Sequence, residues 1–124
     1  MQNARTHQND YIRKVLAAYR QTPGTTGHVR RSDRLLAAQL YQRRIPLEVV
    51  QNALVLAASR RLYRNPDALP LGLVRSLHYF TPAIQEVLGL KNVPASYFHY
   101  LRHKLETFEE TNQAFSSSPA TPDP

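Results

Sequence analysis

Arginine is the side chain through which this sequence is best equipped to act. Its planar fork of N–H donors matches phosphate or carboxylate oxygens and stays charged at physiological pH. Eight of the sixteen Lys and Arg residues fall between Arg30 and Arg64, namely Arg30, Arg31, Arg34, Arg43, Arg44, Arg60, Arg61 and Arg64. They bracket two helical patterns joined by the turn Arg43-Arg44-Ile45-Pro46. Such positions suit a grip on backbone phosphates that leaves base edges unread. They are also the positions of solvated helix ends, where cations make dipole and ion-pair contacts.

If the pair docks as a helix-turn-helix, the helix from Pro46 is the recognition helix and Leu47, Glu48, Gln51 and Asn52 approach the bases. Gln51 and Asn52 can pair with adenine, but no Arg or Lys lies in the first three turns. A second cluster, Tyr97-Phe98-His99-Tyr100-Leu101-Arg102-His103-Lys104, interleaves rings with cations. Rings can stack on unpaired bases while cations hold the backbone, which favours single strands. Tyr97, Phe98 and Leu101 are expected in the core, leaving Tyr100, Arg102, His103 and Lys104 on the surface.

His99 and His103 are four apart and Glu106 follows, a spacing that could face a metal ion. Tyr100 stands where a zinc protease carries its carboxylate, and histidine pairs at this spacing arise often by accident, so no metal is assigned. Asp33, Glu48 and Glu86 fit helix starts or solvated faces, and no Gly-rich phosphate cradle is present. There is no cysteine, which excludes disulfides, thiolate metal sites and cysteine nucleophiles. The expectation is a binding protein without cofactor, not an enzyme.

A chain of 124 residues with 42% apolar composition supports one core. Through residue 104 sixteen bases face five acids, whereas residues 105–124 hold four acids and no base. The helical part is therefore more basic than the net charge of +7 suggests. Its field attracts polyanions, nucleic acid foremost, with DNA favoured over RNA, and acidic proteins or anionic membranes would feel it too. The stretch Met1 to Asp10 lacks the apolar core of a secretory signal and no run has the length to span a bilayer, which together suggest the cytoplasm.

The elements that must position these residues are helices. Asn9 or Asp10 can cap a first helix to about Arg20 with Tyr11, Ile12, Val15, Leu16 and Tyr19 on its apolar stripe. Pro23-Gly24 and Gly27 mark an exposed loop. Ser32 is an N-cap candidate for a second helix, with Asp33 in its first turn and Leu35, Leu36 and Leu40 on the apolar face. Pro46 fits the first position of a third helix carrying Val49, Val50, Ala53, Leu54, Leu56 and Ala57. Leu73 to about Phe80 reads as a fourth, followed by a helix capped at Thr81 that ends at Gly89. The nearly apolar run from Leu73 to Leu88 should be mostly core, any exposed remainder marking a self-association or partner site. Asn92-Val93-Pro94 opens the last helix, with Tyr97, Phe98, Leu101, Leu105 and Phe108 on one side. The fold class is all-α, a compact bundle of five or six helices containing a helix-turn-helix-like pair. Residues 1–8 form a flexible N-terminus, 9–112 the helical domain, and 113–124 a disordered Ser/Pro-rich tail.

Ile45-Pro46-Leu47-Glu48-Val49-Val50-Gln51-Asn52-Ala53, with Val93-Pro94-Ala95-Ser96-Tyr97-Phe98 and Leu101 some forty residues on, resembles the helical domains of DnaD-like primosomal proteins and of plasmid or phage replication initiators. The resemblance covers roughly residues 32–105. It implies an all-α module that binds DNA, often single-stranded or remodelled, and assembles with itself or with helicase-loading proteins. The family's DNA-contacting last helix would map to Tyr97, Tyr100, Arg102 and Lys104. Glu106, Glu109 and Glu110 depart from that pattern, since the family tends to be basic there. The expected function is an accessory DNA-binding factor of replication or of a mobile element; the alternative is an adaptor or inhibitor docking on a nucleic-acid-handling complex.

Overall fold

A computed structural model describes residues 2–63, 71–90 and 95–117 of the chain. Among these the architecture is all-α: α1 (Gln2–Gln21), α2 (Arg31–Gln42), α3 (Leu47–Leu62), a 3-10 turn (Leu77–Phe80), α4 (Thr81–Gly89) and α5 (Ala95–Ser117). Arg64, the Val93-Pro94 pair and residues 118–124 lie outside the described residues.

Helix α1 buries Val15, Leu16 and Tyr19 on the stripe its sequence period requires. It begins at Gln2, so neither Asn9 nor Asp10 caps it and residues 2–8 are helical. No proline or glycine interrupts residues 2–21, so a helix nucleated on the packed stripe can propagate toward the N-terminus. Asp10, in mid-helix, pairs with Arg13 and lies 3.0 Å from Lys14. These hydrogen bonds, Lys14 first, hold its carboxyl below the ordinary range.

Helix α3 is the centre of the bundle and packs against α1, α4 and α5. Val50, Ala53, Leu54, Leu56, Ala58 and Ser59 are buried around its circumference. The small residues Ala53 and Ala58 let neighbouring helices approach closely, and of the α3 residues only Glu48 and Arg60 are exposed. Pro46 is the N-cap rather than the first helical residue, its carbonyl accepting from the N–H groups of Val49 (3.0 Å) and Val50 (3.3 Å). Helix α2 lies outside, against α1 and the 3-10 turn.

The segments before α2 and α4 depart from expectation together. Leu73 to Ser76 is extended, not helical, and Val74 forms an isolated parallel bridge with Thr25. Thr26 N–H donates to the Val74 carbonyl (2.9 Å) and Val74 N–H to the Gly24 carbonyl (2.7 Å). Gly24 (φ 89°) and Gly27 (φ 80°) take left-handed conformations that shape this crossing. The predicted exposed loop is thus half-buried and tied to a distant segment.

Helix α5 seats Phe98, Leu101 and Leu105 on the bundle. Tyr97, expected in the core, is 43% exposed, because the contact stripe runs through its neighbour Phe98. The helix continues to Ser117, beyond the anticipated boundary at 112.

Candidate nucleic-acid interface

Asp33 organises the basic surface. It is fully buried, and its Oδ2 accepts the Arg30 N–H at 2.8 Å. Its Oδ1 accepts the Leu77 N–H at 2.9 Å and the Ser76 hydroxyl at 3.3 Å. Arg30, not Ser32, is therefore the N-cap of α2, and the carboxylate at the third helical position satisfies its amide, one half of a capping box. The same carboxylate ties the start of α2 to the 3-10 turn, 44 residues away. Burial first, and the Asp33 charge second, push the neighbouring Tyr19 hydroxyl above its usual pKa.

With its one acid turned inward, α2 presents Arg31, Arg34, Leu35, Gln39 and Gln42 to solvent, and Arg43 at its end is also exposed. Leu35, expected on the apolar face, is 54% exposed. A helix of twelve residues is about 18 Å long. Arg30, Arg31 and Arg34 stand at one end of that length, Arg43 and Arg44 at the other. None of these five guanidinium groups has a protein partner among the described residues.

The turn after α2 is closed by a Schellman pair: Ile45 N–H donates to the Leu40 carbonyl (3.1 Å) and Arg44 N–H to that of Tyr41 (2.9 Å). Arg44 takes the left-handed position of this motif, at φ 60°, where glycine is the unstrained residue. A non-glycine residue there costs about 1–2 kcal/mol. The Tyr11 hydroxyl donates to the Ile45 carbonyl at 2.7 Å and holds the turn against α1.

Arg60 and Arg61 have structural employment. Arg60 makes a bidentate pair with Glu86 (2.7 and 2.6 Å), which joins α3 to α4 and holds the Glu86 carboxyl below its ordinary range. Arg61 donates to the Tyr79 hydroxyl (3.1 Å) and the Gly72 carbonyl, its guanidinium 5.3 Å from the Tyr79 ring centre. These two cations brace the segment entering α4 and are poorly free to meet phosphate.

The anticipated recognition helix is α3, in whose first turns Glu48 is exposed and Leu47, Gln51 and Asn52 are half-buried. Gln51 is half-buried and lines, with Arg102, Glu106 and Gln21, a cleft of about 420 Å³ between α1, α3 and α5. On another side of α5, Lys104 Nζ lies 4.4 Å from the Tyr63 ring centre and 5.6 Å from that of Tyr100. The Tyr63 hydroxyl donates to the Lys104 carbonyl at 3.2 Å. Tyr63 and Tyr100, the latter 56% exposed, thus flank one cation. His99, His103 and Glu106 form no metal-ligand group; none of three or more ligands occurs among the described residues.

Arg75 is the cation that motif reading passed over. It is exposed and shares a cleft with Arg30, His28, Thr26 and Leu73. Its isolation outside the Arg30–Arg64 cluster hid it; only the Thr25–Val74 crossing brings it close. Comparison with protein-family models, with curated proteins and with solved structures finds no match for this chain. Among the described residues no helix is long and apolar enough to cross a membrane.

Proposed function

We propose that this protein binds nucleic acid, DNA in preference to RNA, as an accessory factor of replication or of a mobile element, and that it holds phosphate backbone through α2 and its flanks. The carrying observation is α2 with its flanks, where Arg30, Arg31 and Arg34 at one end and Arg43 and Arg44 at the other are exposed and make no hydrogen bond or ion pair through their guanidinium groups among the described residues, while Asp33 is turned inward. Cations spaced along about 18 Å match a row of phosphates better than a compact ligand. Arg44 adds to this, since an arginine kept where glycine relieves strain points to use of its side chain. The tyrosines around Lys104 supply stacking surfaces for unpaired bases.

The test is a salt titration of binding to single-stranded, duplex and forked DNA and to RNA. Each phosphate contact contributes about 0.9 to the slope of log K against log salt, so Arg43→Glu with Arg44→Glu should lower its magnitude by about 2. Arg60→Gln should leave the slope alone, because that guanidinium already serves Glu86. An unchanged slope in the double variant sinks the proposal.

A protein-docking role, as adaptor or inhibitor on a nucleic-acid-handling complex, draws on a different observation. Leu71 and Tyr79, 49% and 48% exposed, line a groove of about 440 Å³ beside Pro82 and Ala83. A partner recovered by pull-down after nuclease treatment would favour that role.

A further inference from the structure

The cleft holding Arg75 has walls from two distant parts of the chain, residues 26–30 leading into α2 and residues 73–75 leading into the 3-10 turn. It encloses about 520 Å³ and is open to solvent. Its walls are set before any ligand arrives. Thr26 and Val74 are joined backbone to backbone, and Asp33 holds the Arg30 amide on one side and the Leu77 amide on the other. Binding there would need little reordering of backbone.

No acidic side chain lines the cleft, and Asp33 behind it is buried with both oxygens occupied. Neither the Arg30 nor the Arg75 guanidinium has a protein partner among the described residues. Two like charges lining one cleft repel, and an anion bound there relieves that repulsion. A ring N–H of His28 and the hydroxyl of Thr26, whose oxygen accepts the His28 amide at 3.3 Å, add further donors. Carboxylate and phosphoryl oxygens both fit a guanidinium bidentately, but a terminal phosphoryl group, with three free oxygens to the two of a carboxylate or a diester, can serve both guanidinium groups and a further donor at once.

We propose that this cleft is a phosphoryl-binding site, with Arg30 and Arg75 as its charged walls and Thr26 and His28 as supplementary donors. It deepens the nucleic-acid reading, on which it rests for the phosphate to belong to a nucleotide. That phosphate is either a terminal monoester or an internal diester.

Inorganic phosphate, followed by phosphorus NMR titration, and a 3′-labelled single-stranded oligonucleotide with either a 5′-phosphate or a 5′-hydroxyl, followed by anisotropy, are the probes. Arg75→Ala should weaken inorganic phosphate and the 5′-phosphorylated strand by about tenfold, the loss of one charge-assisted bidentate contact, with an unchanged melting temperature. Arg75→Lys should recover part of that loss by keeping the charge. A preference for the 5′-phosphorylated strand that disappears in Arg75→Ala supports a terminal phosphate; equal weakening of both strands supports an internal one. Unchanged binding of phosphate and of both strands by Arg75→Ala overturns the site. Arg75-dependent phosphate binding by a protein that binds no oligonucleotide would keep the cleft and overturn the nucleic-acid reading.

Discussion

Replacing Asp33 with asparagine keeps the shape of the side chain and removes one acceptor and the charge. Its two oxygens take the Arg30 N–H at 2.8 Å and the Leu77 N–H at 2.9 Å, with the Ser76 hydroxyl at 3.3 Å sharing the second. An amide has a single oxygen, so in either orientation one backbone N–H faces an NH2 group. A donor left unpaired in the interior costs about 1–3 kcal/mol, and the surviving bond loses its charge assistance, about 1 kcal/mol more. Asp33→Asn should therefore destabilise by about 2–4 kcal/mol, a large part of the 5–15 kcal/mol typical of a domain. Ser76→Ala removes the long bond to Asp33 together with the cap that Ser76 Oγ places on the His78 N–H (3.1 Å), and should cost about 1–2 kcal/mol. Urea unfolding followed by far-UV circular dichroism separates the two. An asparagine variant within about 0.5 kcal/mol of the parent would refute the assignment of Asp33 as the clamp between α2 and the 3-10 turn. Because Arg30 and Arg75 stand on the segments it joins, the variant should also bind phosphate less well below its unfolding transition.

Arg44→Gly should relieve about 1–2 kcal/mol of left-handed strain and return about 0.5–1 kcal/mol through backbone entropy, a small net stabilisation, while lowering affinity for oligonucleotide; a lower melting temperature would contradict the strain. Tyr11, its pKa pushed up to about 12 by burial, contributes stability that is complete below about pH 10 and is lost as pH rises toward 12. Tyr11→Phe should weaken the turn by about 1 kcal/mol at neutral pH and remove that alkaline loss, as read from denaturation curves across pH. Glu86, depressed by Arg60, contributes stability that is present above the ordinary carboxylate pKa of 4.5 and lost as pH falls below it. Glu86→Gln should flatten the acid side of the stability profile, and an unchanged profile would show that the exposed pair adds nothing.

The helices were legible wherever local chemistry was sufficient. Val15, Leu16 and Tyr19 in α1 and Phe98, Leu101 and Leu105 in α5 are buried on the stripes their spacing defines. The central place of α3 was also written in its composition, since apolar residues from Val49 to Ala58 encircle it. A search for one apolar face conceals that signal. The 73–76 segment has a helical pattern in sequence because its apolar residues satisfy either period, and the Thr25 and Asp33 contacts that draw it out are nonlocal. In the candidate interface, the arginines at α2 were visible as a cluster, but their division into free and occupied was not.

An all-α chain, a strongly basic helical region and a pair of helices joined at Arg43 to Pro46 follow from the order of residues alone. Helical periodicity, proline and glycine positions and net charge are properties of neighbouring residues or of simple sums. Tertiary structure alone decided that Arg60 answers Glu86, that Arg61 braces Tyr79, and that Arg75 joins Arg30 across the Thr25–Val74 crossing. Whether a cation is available for a ligand depends on which acid or carbonyl lies within a few ångströms, and in this chain those partners come from remote segments. Asp33 illustrates the difference: in sequence a first-turn acid suited to a helix dipole, in the fold a buried clamp whose removal from the surface leaves α2 wholly basic.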